Sequence, residues 1–228
     1  MDNISVRGMV ISSMPIGEYD RRLEILTDEY GRISAFAKGA RKPSSSLVSV
    51  SRLFAFGQFE LFRGKSSYNV NSAKIINYFT ELSEDIVLTF YGSYFLELAQ
   101  YFTRENVEAG QVLKLLYQSL RALMHESYDN RLVRAIYEIK MLAINGVCPP
   151  ADRIIQGEGQ FAFGKGISES CAYALQFVIS SPIDKLFTFR LTESVLNEFC
   201  ALAKSLISLT VDKKFNSLNM LESIGDLE

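Results

Sequence analysis

The run Leu53-Phe54-Ala55-Phe56-Gly57-Gln58-Phe59-Glu60-Leu61-Phe62 places four phenylalanines in ten residues and reads with a period of two. Phe54 and Phe56 share one face, Phe59 and Leu61 the other, and a bulge at Gly57 accounts for the change of phase. Upstream, residues 4–14 mix β-branched side chains with alternation, and residues 23–27 form a compact strand candidate. Residues 31–38 set Ile33, Ala35 and Ala37 against Ser34, Phe36 and Lys38. Asp28, Glu29, Tyr30 and Gly31 make a hairpin turn, with Gly31 free to take positive φ. Residues 67–75 complete the set. About five short strands with glycine at the bends suit a small closed barrel, because closure removes the edges that a short open sheet exposes. An OB or an SH3-like barrel fits.

Beyond residue 80 the period lengthens. Val87, Leu88, Tyr91, Tyr94, Phe95, Leu98, Tyr101 and Phe102 recur at spacings of three and four, which puts them on one stripe of a long helix. Val112, Leu116, Leu120 and Leu123 repeat the pattern, as do Leu132, Ile136, Ile139 and Ala143, and then Val195, Phe199, Leu202, Leu206 and Leu209. Residues 146–166 break it with Pro149, Pro150 and five glycines, and read as a long loop or a degenerate small motif. The expected class is α+β: a small N-terminal β-barrel over residues 1–80, then an all-α domain over 81–228.

Charge divides along the same line. Residues 1–80 carry 11 Lys and Arg against 7 Asp and Glu, a net of +4; the remainder carries 13 against 19, a net of −6. Residues 32–65 hold seven cations against the single acid Glu60, a balance that suits a polyanion. Cys148, Cys171 and Cys200 are odd in number and unpaired in spacing, which argues against a secreted disulfide framework and against a CxxC-type zinc site. No stretch reaches 18 uninterrupted apolar residues and no leader pattern is evident, so a cytoplasmic protein without a membrane partner is expected.

The loop Gly39-Ala40-Arg41-Lys42-Pro43-Ser44-Ser45-Ser46, preceded by Lys38, combines flexible backbone, cations and small hydroxyls. Such a loop can follow a phosphate backbone, each cation releasing condensed counterion and each neutral donor fixing register; a plain solvated loop is the alternative. Arg21, Arg22, Arg63 and Lys65 join Lys38, Arg41 and Lys42 as candidate DNA-binding residues. Phe36, Phe54, Phe56, Phe59, Phe62 and Tyr68 are the pool from which base-stacking rings would come, most of them needed for the core. Phe36 beside Lys38 and Phe62 beside Arg63 are the least suited to burial.

Enzymatic readings find little support. The single histidine, His125, ends an amphipathic stretch with no nucleophile motif around it, and no GxSxG, Walker A, GxGxxG or HExxH pattern occurs. Glu18 and Asp20, or Glu81, Glu84 and Asp85, read as turn and helix-start acids. A magnesium-dependent nuclease would need a carboxylate cluster that the spacing does not supply. A binding module without catalytic residues, cofactor or metal is expected.

Gly17-Glu18-Tyr19-Asp20, then Leu26-Thr27-Asp28-Glu29-Tyr30-Gly31-Arg32-Ile33, then Ala37-Lys38-Gly39-Ala40-Arg41-Lys42, in this order and spacing, resemble the N-terminal signature of the RecO family. The aromatic strand ending in Arg63-Gly64 is similar to the family's next strand, Phe95-Leu96-Glu97-Leu98 to the start of its helical domain, and Gly146 with Pro149 and Asn216-Ser217-Leu218 to later landmarks. The resemblance implies an OB-fold barrel and a recombination mediator of the RecF pathway. Such a mediator binds single- and double-stranded DNA, anneals complementary strands, works with RecR, contacts the C-terminal tail of single-strand-binding protein, and indirectly aids RecA, in the cytoplasm at the nucleoid. Many RecO proteins carry a four-cysteine zinc motif after the Gly-Pro landmark; here Cys148 and Cys171 lie in that region without the pairs, so a degenerate, metal-free motif is expected.

Overall fold

The computed structural model describes residues 3–64, 67–157 and 166–225. Two compact units form, one from residues 1–89 with 93–113, the other from residues 90–92 with 114–228. The first contains five strands: β1 (Asn3–Ile16), β2 (Asp20–Thr27), β3 (Arg32–Ala37), β4 (Phe56–Arg63) and β5 (Tyr68–Asn77). They close in the order β1-β2-β3-β5-β4, with β1 antiparallel to β4 and β3 parallel to β5. A single turn of helix, α1 (Leu47–Val50), leads into β4 and buries Leu47 and Val50 in the barrel core.

Alternation decides which side chains fill that core. Val6, Val10, Leu23, Ile25, Ile33, Ala35, Ala37, Phe59, Leu61, Tyr68 and Val70 are buried together. The small alanines on β3 stand opposite larger residues, Leu23 and Tyr68 on either side of Ala35, so a narrow barrel can fill without overlap. Gly31 takes φ +65° in the β2–β3 turn, where the Thr27 amide and hydroxyl both donate to the Gly31 carbonyl at 2.8 Å. The anticipated turn is therefore present, and Gly31 serves a second need: a Cβ there would collide with the Arg104 and Val107 carbonyls.

At Gly57 the structure corrects the reading of the phenylalanine run. The β4–β5 register does shift between Phe56 and Gly57, but the extra residue is Ile76 on β5, since Phe56 faces Asn77 and Gly57 faces Ile75. Within β4 the alternation is unbroken, with Gly57, Phe59 and Leu61 turned inward and Gln58, Glu60 and Phe62 outward. Glycine is required because a Cβ at 57 would meet the Lys74 carbonyl of the neighbouring strand. Phe54 precedes the strand altogether, buried and at φ +68°.

Among the described residues seven further α-helices follow a 3-10 turn at Thr80–Ser83: α2 (Ile86–Phe102), α3 (Gly110–Leu123), α4 (Asn130–Ile144), α5 (Ala151–Gln156), α6 (Glu169–Ser180), α7 (Glu193–Thr210) and α8 (Asn216–Gly225). Asp85 caps α2 by accepting from the Val87 and Leu88 amides, Asp129 caps α4 from Arg131, and Ser168 caps α6 from Cys171. In the second unit α4 is the central helix, buried from Leu132 to Leu142 against α6 and α7. Its Lys140 donates to the Ile179 and Ser181 carbonyls at 2.8 and 2.7 Å, satisfying acceptors at the end of α6.

Two expectations for this half need correcting. Residues 151–156 of the supposed loop are helical, with Pro150 at the N-cap and Gly157 at φ +68° as the C-cap, while residues 158–165 of that segment lie outside the described residues. Leu209, placed on the apolar stripe of α7, is exposed; Leu196, Ala203 and Ile207 join Phe199, Leu202 and Leu206 on the buried face instead. Among the described residues no helix is long and apolar enough to cross a membrane.

Candidate nucleic-acid interface

Strand register brings the predicted cations to one end of the barrel. Ile16 pairs with Asp20, Arg21 with Ala37, Ala35 with Tyr68, and Tyr68 with Arg63. The start of β2, the end of β3, the end of β4 and the start of β5 thus form a common rim. Arg21, Arg22, Lys38, Arg41, Lys42 and Arg63 stand on it or in the turns it carries; Lys65 lies outside the described residues.

The turn after β3 is held largely by backbone contacts, and none of its cations is ion-paired with a carboxylate among the described residues. Gly39, at φ +70°, donates its amide to Asp20 Oδ1 at 2.7 Å, and the Arg41 amide donates to the Tyr19 carbonyl at 2.8 Å. The Arg41 guanidinium reaches the Gly17 carbonyl at 3.1 Å, and Lys42 Nζ stands 5.0 Å from the centre of the Tyr19 ring. The β3–α1 turn is thereby laced to the β1–β2 turn. Asp20 acts here as an acceptor for backbone rather than as a partner for a cation.

The barrel's arginines separate into two kinds. Arg7 is ion-paired with Asp28 at 3.1 Å and Arg32 with Glu24 at 3.0 Å, both away from the rim. Arg21, Arg22, Lys38, Arg41, Lys42 and Arg63 make no ion pair with a carboxylate among the described residues. Like charges without a partner repel one another, and their collection at one rim gives that surface a positive potential able to attract an anion.

They do not all face one way. Arg21 shares the inward phase of Leu23 and is half-buried, donating to Ser13 Oγ at 3.1 Å, whereas Arg22 points outward and donates to Ser34 Oγ at 3.0 Å. On the outer surface Met14, Arg22, Phe36, Asn69 and Phe62 lie side by side across β1, β2, β3, β5 and β4. Phe36 and Phe62 are half-buried there, as their cationic neighbours suggested, while Phe54, Phe59 and Tyr68 belong to the core. Tyr19, 45% exposed under Lys42, was not counted among the stacking candidates, although it sits in the same short motif as Asp20. Arg52, exposed beside α1, belongs to the basic stretch of residues 32–65 but not to the candidate DNA-binding residues named from the sequence.

The second unit offers a different surface. Between α6 and the segment leading into α7, Tyr173, Ala174, Phe177, Phe189, Leu191 and Val195 line a groove, with Arg190 at its edge. Tyr173 is 72% exposed, and Phe177 and Phe189 meet edge to face at 5.3 Å. Burial raises all three thiols, Cys171 to about 12 and Cys148 and Cys200 to about 11, so none is a thiolate at neutral pH. Among the described residues no three His, Cys, Asp or Glu converge as metal ligands. His125 is engaged through Nδ1 with the Ser127 hydroxyl at 2.7 Å.

A five-stranded closed barrel with a cation-lined rim, followed by an α-helical unit, defines a two-module class of protein. Residues 1–79 match the family described as Recombination protein O N terminal, and residues 83–219 match Recombination protein O C terminal. The chain belongs to the RecO family of DNA repair and recombination proteins. It is 29% identical to the DNA repair protein RecO of Acetivibrio thermocellus over an alignment spanning the whole of both chains. It is 35% identical to that of Bacillus mycoides and 36% identical to that of Bacillus cereus, over 64% of this chain and 59% of each relative.

Proposed function

We propose that this protein is a non-enzymatic recombination mediator that holds single- and double-stranded DNA on the rim of its barrel and anneals complementary strands. The strand order β1-β2-β3-β5-β4, closed by β1 on β4, is read as an OB fold. The observation that carries the proposal is the group of six rim cations that have no carboxylate partner among the described residues. Phosphates neutralised by those cations release counterion, and two strands that repel in solution can approach when both lie against one cationic surface. No base is read, so binding is indifferent to sequence. Neither metal nor cofactor is needed, because annealing makes and breaks no covalent bond.

In this reading the protein acts in the RecF pathway, at the nucleoid, working with RecR to promote RecA loading onto DNA coated by single-strand-binding protein. That protein's acidic, apolar C-terminal tail is matched by the groove between α6 and α7, where apolar side chains and Arg190 stand together.

Anisotropy of labelled single strands across a salt series, followed by addition of the complement, tests the central claim. The expected result is a steep negative salt slope and annealing faster than protein-free DNA. Replacing Lys38, Arg41 and Lys42 by Ala is expected to weaken binding to all sequences alike and to flatten the slope by up to about 0.7 to 0.9 for each lost contact. A triple variant with unchanged affinity and slope would remove the rim from the account.

A further inference from the structure

One cavity of about 800 Å3 in the first unit adjoins the rim surface described above, sharing Arg21 and Arg41 with it. It is lined by Arg21, Arg41 and Arg52, and by an apolar wall of Val48, Leu53, Phe54 and Tyr78. Ser13, Thr80, Ser83 and Thr89 add hydroxyls, and Glu84 is the only carboxylate among the lining residues. None of the three arginines is paired with a carboxylate among the described residues, so three guanidinium groups face one space with their charge uncompensated.

The wall is held under strain. Phe54 has φ +68°, a conformation that costs a non-glycine residue about 1 to 2 kcal/mol. It is kept there by two backbone bonds to β1, Phe54 N–H to the Val10 carbonyl and Val10 N–H to the Ala55 carbonyl, both at 3.0 Å. The Ser13 hydroxyl links the same segment to the Arg21 guanidinium, donating to the Ser51 carbonyl at 2.6 Å and accepting from Arg21 at 3.1 Å. Strain of this kind collects at ligand sites.

We propose that this cavity receives one unstacked nucleotide of a bound single strand, its phosphate among Arg21, Arg41 and Arg52 and its base against Leu53, Phe54 and Tyr78. The inference rests on the reading of the rim as a DNA surface. Its ligand class follows from the lining. All three cations are guanidinium groups, whose planar fork suits phosphate oxygens. The volume falls in the range of small-molecule sites, far beyond what a simple anion fills. The apolar wall takes a base face; of the four hydroxyls those of Ser13, Thr80 and Thr89 already donate within the protein, which leaves Ser83 to donate to a base edge without fixing its identity. Arg41 belongs both to the cavity and to the rim turn, so a strand lying on the rim has its next phosphate at the mouth. A duplex, whose bases remain stacked and paired, does not enter. The cavity thus separates single strands from duplex on a surface whose charge alone would bind both.

The chain contains no tryptophan, so Leu53→Trp, at a 41% exposed position of the wall, places a single indole reporter in the full-length protein. Saturating single-stranded DNA should quench its emission, and saturating duplex, with binding followed by anisotropy on the same samples, should not. In the otherwise natural sequence, Arg52→Ala should reduce single-strand affinity by about tenfold, the loss of one charge-assisted contact, and leave duplex affinity within about twofold. Among the described residues the Arg52 side chain makes no hydrogen bond or ion pair, its only bonds being those of its backbone, so truncating it removes no contact that holds the fold. If neither DNA form binds the natural protein, the rim reading itself fails. If both bind and the indole is silent, or if Arg52→Ala matches the natural protein on single strands, the cavity proposal is overturned while the rim stands. Quenching by a free deoxynucleotide or an acidic peptide but not by single strands would overturn it in favour of that ligand.

Discussion

At the scale of single residues, Gly17 and Gly31 separate two uses of glycine that sequence cannot distinguish. Both have positive φ, +57° and +65°, but a Cβ at 17 meets open space whereas one at 31 meets two carbonyls. Gly17→Ala is therefore expected to cost about 1 kcal/mol from backbone conformation alone, and Gly31→Ala about 2 kcal/mol more from enforced overlap. Urea unfolding followed by circular dichroism checks the pair; equal losses would mean that close approach to Arg104 plays no part. Tyr19 invites a second comparison. If its exposed ring stacks a base beneath Lys42, Tyr19→Ala should weaken single-strand binding by about 1 kcal/mol while Tyr19→Phe retains it, as read by anisotropy. The cations were legible because basic residues crowd a short stretch with one acid among them. Their gathering at one rim was not, since it depends on strand register, and neither was the opposite facing of Arg21 and Arg22. Arg52 and Tyr19 show the limit from the other side: each is an unremarkable residue until the fold sets it beside the rest.

At the scale of elements, α4 depends on a cap whose charge can be titrated. Asp129 accepts from the Arg131 amide at 2.8 Å and is ion-paired with the same residue's guanidinium at 2.7 Å, while Arg131 also reaches Glu193 at the start of α7. The Arg131 side-chain hydrogen bond is the chief cause that holds the Asp129 carboxyl below its ordinary value of 3.8. A carboxylate whose pKa is depressed by folding contributes stability that is complete above the unfolded value and is lost as pH falls through the folded one. Asp129→Ala is expected to destabilise by about 1 kcal/mol at neutral pH through loss of the cap. Asp129→Asn keeps a capping acceptor, so its deficit should be smaller and should vanish on acidification through the region below 3.8. Unfolding measured between neutrality and strong acid tests this, and a deficit independent of pH would assign the loss to packing. Helices α2, α3, α4 and α7 were readable because large apolar residues recur at three and four. α6 was missed because two of its four buried positions are Cys171 and Ala174, too small to stand out, and α5 because Pro149 and Pro150 look like loop residues when one of them is a cap.

At the scale of the whole molecule, the two kinds of surface should respond differently to salt. The N-terminal 80 residues carry +4 and the remainder −6, so an acidic peptide approaching the groove of the second unit meets net repulsion. Its affinity must come from burial of apolar groups against Tyr173, Phe177, Phe189 and Val195, with Arg190 supplying a single favourable charge opposed by Glu169 in the same lining. Peptide binding is therefore expected to change little with salt, whereas DNA binding at the rim should weaken steeply. The substitutions should separate as well. Tyr173→Ala is expected to lower affinity for an acidic peptide ending in apolar residues by about tenfold, equivalent to about 1.4 kcal/mol of lost contact, with DNA affinity unchanged. The Lys38, Arg41 and Lys42 triple alanine variant should show the reverse, and a chain carrying all four changes should show both losses added without coupling. Calorimetry with the peptide and anisotropy with single strands, performed on the same four full-length proteins, decide the matter. Loss of peptide binding in the rim variant, or a peptide salt slope as steep as that for DNA, would mean that the acidic ligand competes for the rim and that the groove between α6 and α7 is not its site.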